Sequence, residues 1–473
     1  MESPVSRARN PKARTACDRC YQLKERCERA TRSSAECARC ERLRLACSTV
    51  RPVRLPGRRV LRGHDSNVAS KAASGRLRKP GQTQPGIGAH LDSVPNLQPQ
   101  ERELLVFLLS QPESLDDYVV CSSFRADQQN LLASQLPDAS PFLKDAYLAC
   151  ALAVKQLQSG AGTDVDSSVC VIYISKAISA LRSLPILRPQ DTVLCHALGG
   201  VLAFSIYSVI GVGVPDVCRF SLGTTESFAG TTASGSGQDP WQSFLVLLDT
   251  MNSLVYRRKP TRRIQMADLV VDCRLGLCLP LLEYYHDLCV ISNSLQHTTD
   301  IGILARLQKQ LDGIHGAVAS WQPSHADKLI DQFDSTEIVN LLAQAKVYRL
   351  GALLVAHRLQ HPFGSDDVQA EIWSKEVMME LELAKRVTKQ PLRFVTLPFM
   401  VAAVEIRDDS ARLEALQRVD DYVASYAPAL RTATKTFLMR VWQERDTSLA
   451  CRWFDSIHKP CPVVDSIDAT CFG

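Results

Sequence analysis

Residues 17–47 read CDRCYQLKERCERATRSSAECARCERLRLAC. Six cysteines, Cys17, Cys20, Cys27, Cys37, Cys40 and Cys47, fall into two triads of one spacing, C-x2-C-x6-C. The 31 residues spanned are too few to bury a self-sufficient hydrophobic core. A metal, rather than packing, is expected to hold the segment. Structural zinc takes four soft ligands in a tetrahedron, and thiolates suit it. One zinc would leave two of the cysteines unused, and two separate zincs need eight ligands. Two zincs sharing two thiolates use six and give each ion four, which suits duplicated triads. The C-x2-C step sets two sulfurs on one metal through a tight turn, and the next six residues form a short helix that returns the third. Zinc binding contributes roughly 10–16 kcal/mol in small structural sites, ample to order such a segment. A disulfide framework would leave the doubled spacing a coincidence. A RING-type cross-brace normally uses eight ligands with His among them, and no His precedes His64.

Two Zn²⁺ and six thiolates carry a net negative charge, so the cluster itself does not attract a polyanion. The basic residues around it must do so: Arg14, Arg19, Lys24, Arg26, Arg29, Arg32, Arg39, Arg42 and Arg44. Residues 1–80 hold 21 Lys and Arg against 7 Asp and Glu, and the remainder holds 34 against 43. This is a basic, nucleic-acid-facing end on a mildly acidic body. Neutralising phosphates releases counterions and makes affinity strongly salt-dependent. Sequence readout needs donors that reach guanine O6 and N7 in the major groove. Lys24, near the end of the first short helix, is placed for this.

Ala16-Cys17-Asp18-Arg19-Cys20, Leu23-Lys24, Arg26-Cys27, Cys37-Ala38-Arg39-Cys40 and Cys47 together resemble the fungal binuclear zinc cluster (Zn2Cys6) of transcription factors. The resemblance implies two Zn²⁺ ions in one cluster, with Cys17 and Cys37 as bridging ligands and Cys20, Cys27, Cys40 and Cys47 as terminal ones. It also implies that Lys24 contacts bases and Arg26 a phosphate, on CGG-like half-sites of double-stranded DNA. This sequence departs from the family pattern at Tyr21, where a basic residue is common, and in the loop Glu28–Glu36, which lacks a proline.

Around this module lie a basic arm over residues 1–16 and a linker over residues 48–98 rich in Arg, Gly, Pro, Ser and Gln. The linker opens with a basic run containing Arg51, Arg54, Arg58 and Arg59, which reads as a phosphate-contacting extension or a nuclear-import signal. From residue 99 apolar positions recur at helical spacing: Glu101–Ser110, Phe142–Leu157, Ser168–Leu184, Trp241–Tyr256, Leu275–Leu295, Ile301–Trp321, Glu337–Leu359, Trp373–Val387, Ala411–Ala427 and Leu430–Trp442. Only Phe394–Val401 has a strand-like pattern. The fold class expected is a small zinc-stabilised module of two short helices around a binuclear cluster, a flexible basic linker, and a large all-α regulatory body over residues 99–473.

Val193–Val214 is uncharged and long enough to span a bilayer. It contains His196, four glycines and no flanking aromatic belt, so a buried core helix is expected and no membrane contact. The first residues have no apolar h-region, which argues against a secretory signal. Eleven further cysteines occur singly, as reduced thiols in an intracellular protein do.

Enzyme patterns are incomplete. Glu283-x-x-His286 has no second copy. His357 and His361 lack the glutamate of HExxH, because Arg358 stands there. Gly211-Val-Gly213 lacks a third glycine and a preceding strand. Pro112-Glu-Ser-Leu-Asp-Asp-Tyr and Pro141-Phe-Leu-Lys-Asp-Ala-Tyr-Leu-Ala-Cys resemble regulators of fungal secondary-metabolite gene clusters. The expected function is that of a nuclear, non-enzymatic, sequence-specific regulator of RNA polymerase II genes, with a homodimer and transcriptional co-regulators as partners. The alternative is a metabolite-binding or enzymatic body recruited to chromatin by the zinc module. A second rival is an interaction scaffold that uses the zinc module for protein contacts.

Overall fold

The structure is a computed structural model that describes residues 17, 20, 27, 36–43, 47, 91–92, 94–159, 164–228, 239–264, 271–323 and 326–448. The chain divides into two compact units, Met1–Gly75 and Arg76–Gly473. In the first, helix α1 (Ala38–Arg42) follows the start of the second cysteine triad. The other short helix expected, after Cys20, lies outside the described residues, as does the basic arm.

The second unit is helical. Its helices are α2 (Pro99–Ser110), α3 (Arg125–Ser159), α4 (Asp164–Ser183), α5 (Pro189–Val209), α6 (Val214–Thr224) and α7 (Pro240–Val255), then α8 (Leu281–His297), α9 (Ile301–Ser320), α10 (Ser335–Gln360), α11 (Asp367–Thr388), α12 (Thr396–Ala403), α13 (Asp409–Tyr422) and α14 (Pro428–Asp446). No strand occurs among the described residues; a lone antiparallel bridge joins Asp272 and Gly276. Local chemistry sets many of the starts. Asp239, Asp300, Asp334 and Asp408 cap α7, α9, α10 and α13 by accepting first-turn N–H bonds. Pro189 and Pro428 occupy first-turn positions of α5 and α14, which need no N–H donor. Pro137 and Pro141 do disturb α3, which kinks at Ala139.

Helix α5 lies at the centre and packs against α3, α4, α6, α7 and α14. The uncharged run is therefore a core helix, buried along almost its whole length. Its glycines are packing features. A Cβ on Gly199 would fall 2.2 Å from Ser221 Oγ, and one on Gly200 would fall 2.4 Å from the Trp241 ring. Bare backbone there lets α6 and α7 close on α5.

Three expectations need correction. Phe394–Val401 is not a strand: α12 covers most of it, buried on every side, and a short apolar run carries no period that separates the two states. The helix expected from Leu275 begins at Leu281, because Gly276 (φ +54°) and Pro280 hold residues 271–280 in turns. Helix α13 ends at Tyr422, and Val423 is extended. Leu91 and Val94 already belong to the body's core.

Arg358, at the end of α10, is fully buried. Its Nε and Nη2 donate to Glu405 at 2.9 and 2.7 Å, and Nη2 also lies 2.7 Å from Asp367. Its Nη1 donates to the carbonyls of His361 and Pro362. Burial opposes ionisation of Asp367, yet hydrogen bonding to Arg358 holds that carboxyl below its usual range. Arg358→Ala leaves Glu405 buried without its partner, which should cost about 3–5 kcal/mol of stability. Chemical denaturation of the full chain reads that loss; Arg358→Met with Glu405→Leu should recover most of it.

Candidate metal centre and regulatory body

Cys37 caps α1 with its own sulfur: the Cys40 N–H donates to Cys37 Sγ at 3.5 Å. The first triad repeats the geometry, with the Cys20 N–H donating to Cys17 Sγ at 3.5 Å. The Cys17 N–H in turn donates to Cys27 Sγ at 3.3 Å. This is the tight turn that C-x2-C spacing calls for, made twice. The two halves meet sulfur to sulfur. Cys17 Sγ lies 3.8 Å from Cys37 Sγ and 3.9 Å from Cys40 Sγ, and Cys20 Sγ lies 3.8 Å from Cys37 Sγ. The ligand atoms of Cys17, Cys20, Cys37 and Cys40 all fall within 4.8 Å of one another. These four cysteines are buried, with half-buried Cys27 and Cys47 packed against them.

The donor set fits zinc. A tetrahedral ion with Zn–S bonds of about 2.3 Å places neighbouring sulfurs about 3.8 Å apart. Cys17 and Cys37 each lie within 4 Å of two sulfurs of the other triad's C-x2-C pair. They also hold negative charge most easily. The Cys40 N–H draws the Cys37 thiol down to about 6. Burial opposes ionisation of Cys17, but hydrogen bonds from Cys20 bring it below the usual thiol range. Burial pushes Cys40 up to about 12 and Cys20 higher still.

Arg39 and Arg42 stand in the last turn of α1, Arg42 exposed and Arg39 half-buried. Lys24, Arg26, Arg19, Arg14, Arg51, Arg54, Arg58 and Arg59 lie outside the described residues. The described body cysteines are all free and buried. Burial raises Cys170, Cys273 and Cys150 to about 12, which leaves them inert as nucleophiles.

The incomplete enzyme patterns have structural explanations. Glu283 pairs with Arg263 at 3.4 Å, and His286 Nδ1 contacts Asp287. Gly211 and Gly213 take positive φ in the turn between α5 and α6. His357 and His361 meet Asp366 within 4.8 Å, but His357 Nε2 is already 3.0 Å from the Asp366 carbonyl oxygen.

A cavity of about 220 Å³ opens where α5, α7, α10, α12, α13 and α14 converge. Tyr207, Leu247, Met251, Tyr348, Phe394 and Tyr426 line it, and Asp117, Arg393 and Ser425 stand among its polar lining. Tyr348 Oη donates to the Phe394 carbonyl at 2.6 Å. Neither the helical periods nor the motifs of the sequence point to this cavity, whose lining comes from helices and loops spread between Asp117 and Leu430.

A family model described as "fungal specific transcription factor domain" matches residues 224–461, just over half of the chain. No curated protein and no solved structure matches the chain. Native mass spectrometry of the full chain should find two zinc ions. Cys37→Ser should lose both, whereas Cys289→Ser in the body should keep both.

Proposed function

Because this chain belongs to the fungal specific transcription factor domain family, and so is a fungal transcriptional regulator, we propose that it acts in the nucleus as a sequence-specific DNA-binding regulator of RNA polymerase II genes. Residues 17–47 form the DNA-binding module, residues 1–16 and 48–98 its basic flanks, and residues 99–473 the regulatory body. The observation that carries this reading is the sulfur cluster, which joins both cysteine triads at tetrahedral spacing. Six thiolates would hold two zinc ions, with Cys17 and Cys37 shared between them and Cys20, Cys27, Cys40 and Cys47 terminal. Zinc held by these cysteines would supply rigidity, and so would set the direction of Lys24.

Recognition rests on this chain's basic side chains. Lys24 reaches the guanine edge of a CGG-like half-site in the major groove. Arg26, Arg19 and Arg14, with Arg51, Arg54, Arg58 and Arg59 of the linker, neutralise phosphates. Such contacts set register and salt dependence without reading sequence. The genes controlled are those of a secondary-metabolite cluster, on the resemblance of the segments that begin at Pro112 and Pro141. The body carries regulation and contacts co-regulators rather than catalysis.

The second reading gives the body a ligand. An apolar cavity of about 150 Å³ suffices for benzene, so about 220 Å³ suits a one- or two-ring apolar molecule with a hydroxyl group. A thermal shift of the full chain with such compounds, abolished by Leu247→Trp, is the expected result.

Lys24→Ala should weaken binding to a CGG-containing duplex by about 1–3 kcal/mol and relax preference for it. Fluorescence anisotropy on matched and scrambled duplexes measures this. A chelator should remove binding to both. Equal loss on both duplexes for Lys24→Ala would make Lys24 a phosphate contact.

A further inference from the structure

Where α10 ends, three side chains with lone pairs to give come together. The ligand atoms of His357, His361 and Asp366 all lie within 4.8 Å of one another. His357 is buried, His361 half-buried and Asp366 exposed, so the group is open to water on one side. The two histidines are four residues apart at the end of α10, the spacing that sets side chains on one helix face. Their ring centres are 4.7 Å apart. Two imidazoles on one zinc ion, each with a nitrogen about 2.0–2.1 Å from it, leave ring centres about 5 Å apart.

The donors are not spent on the fold. Asp366 stands at the N-cap of α11, where an aspartate ordinarily accepts a first-turn N–H. It makes no such bond and takes a left-handed backbone, φ +51°. Asp367 instead accepts the Gly364 N–H and pairs with Arg358. The His361 ring lies against the His357 ring and has no hydrogen-bond partner among the described residues. The bond of His357 Nε2 to the Asp366 carbonyl oxygen uses one ring nitrogen only. A carbonyl can only accept, so Nε2 carries the proton and the lone pair of the neutral ring is on Nδ1. Burial holds His357 below the ordinary imidazole range, so the ring is neutral. Metal-bound histidines anchor their second ring nitrogen on a carbonyl in this way.

We propose that His357, His361 and Asp366 form a second metal site, which takes one divalent cation of the zinc type with water completing the coordination. Two imidazoles and a carboxylate suit zinc and its first-row neighbours, whereas magnesium and calcium call for oxygen donors. Zinc bonds of about 2.0–2.2 Å draw neighbouring ligand atoms to about 3.4 Å, a closure that turning His361 and Asp366 supplies. Three protein ligands without a thiolate bind more weakly than the cysteine cluster. The chain therefore carries the two ions of its cysteine module, and the third site fills when free zinc rises. The bound ion ties the last turn of α10 to the residue before α11, across the loop whose carbonyls Arg358 also holds. The site uses neither DNA nor the cysteine module.

Zinc titrated into the untagged full chain, already holding its two module ions, should bind at one further site with micromolar Kd by calorimetry. Native mass spectrometry at saturation should then count three ions, and the melting midpoint should rise as the site fills. His361→Ala and Asp366→Asn should each weaken the third ion by about tenfold or more and remove the melting response. Asparagine also tolerates the left-handed backbone, so Asp366→Asn removes the charge and keeps the loop. His297→Ala, away from the group, should keep the third ion, and circular dichroism should be unchanged in every variant. Cys37→Ser should lose the module ions and still take up this one, so the two sites fail separately. No further binding across the micromolar range would overturn the proposal. A third ion held as tightly after His361→Ala or Asp366→Asn would overturn it also.

Discussion

A full positive charge sits where no water reaches it, at the end of α10. Removing Arg358 from water carries a desolvation cost that only close, well-oriented partners offset. Glu405, Asp367 and the carbonyls of the loop between α10 and α11 together meet that requirement. The guanidinium therefore dictates three things at once: where α10 stops, where α11 starts, and where the chain after α12 must return. Phe363 stacks on the same guanidinium at 4.9 Å, and Arg445 of α14 lies 5.4 Å from that ring's centre. An apolar core tolerates small sliding of its helices, whereas a buried ion pair has few acceptable geometries. Helices α10, α11, α12 and α14 are held in one arrangement by that lack of alternatives.

The two units rest on different physics. The body buries a continuous apolar core, so its integrity scales with area removed from water. The cysteine module cannot draw on that term. Its sulfurs do two jobs instead: Cys17 and Cys37 accept backbone N–H bonds that shape their own turns, and the same sulfurs lie closest to the opposite triad. Local geometry and metal affinity are therefore not separable there. A backbone that loses the turn loses the ligand position, and a site that loses its ion leaves thiolates crowded against one another.

The cysteine spacing was readable because its chemistry is local: a C-x2-C turn needs only four residues to make its statement. The helical body was readable in outline because long apolar periods survive any tertiary detail. What failed was short or set by distant partners. Phe394–Val401 is too brief to show a period, and its helical state comes from burial between α10, α11 and α13. The start of α8 depends on turns at Gly276 and Pro280 rather than on hydrophobic spacing. Arg358 registers in the sequence only as the residue that spoils an HExxH pattern. Its partner Glu405 is 47 residues away, and no one-dimensional signal links them. Helix α11 was legible as an amphipathic segment, Trp373–Val387, but which of its faces met solvent was not.

Helix α5 has a consequence for the life of the chain before it is folded. By length and composition it, like α10, is apolar enough to cross a membrane. In the fold α3, α4, α6, α7 and α14 cover it, and three of these, α6, α7 and α14, are synthesised after it. During synthesis a ribosome-bound intermediate presents this segment bare, a natural client for chaperones and a nucleus for aggregation. The bare backbone at Gly199 and Gly200 that lets α6 and α7 approach so closely also makes the cover exacting. A core substitution that loosens it does more than lower stability: it exposes a long apolar segment to aggregation, and the cell would meet the defect as missing protein before it met it as missing activity.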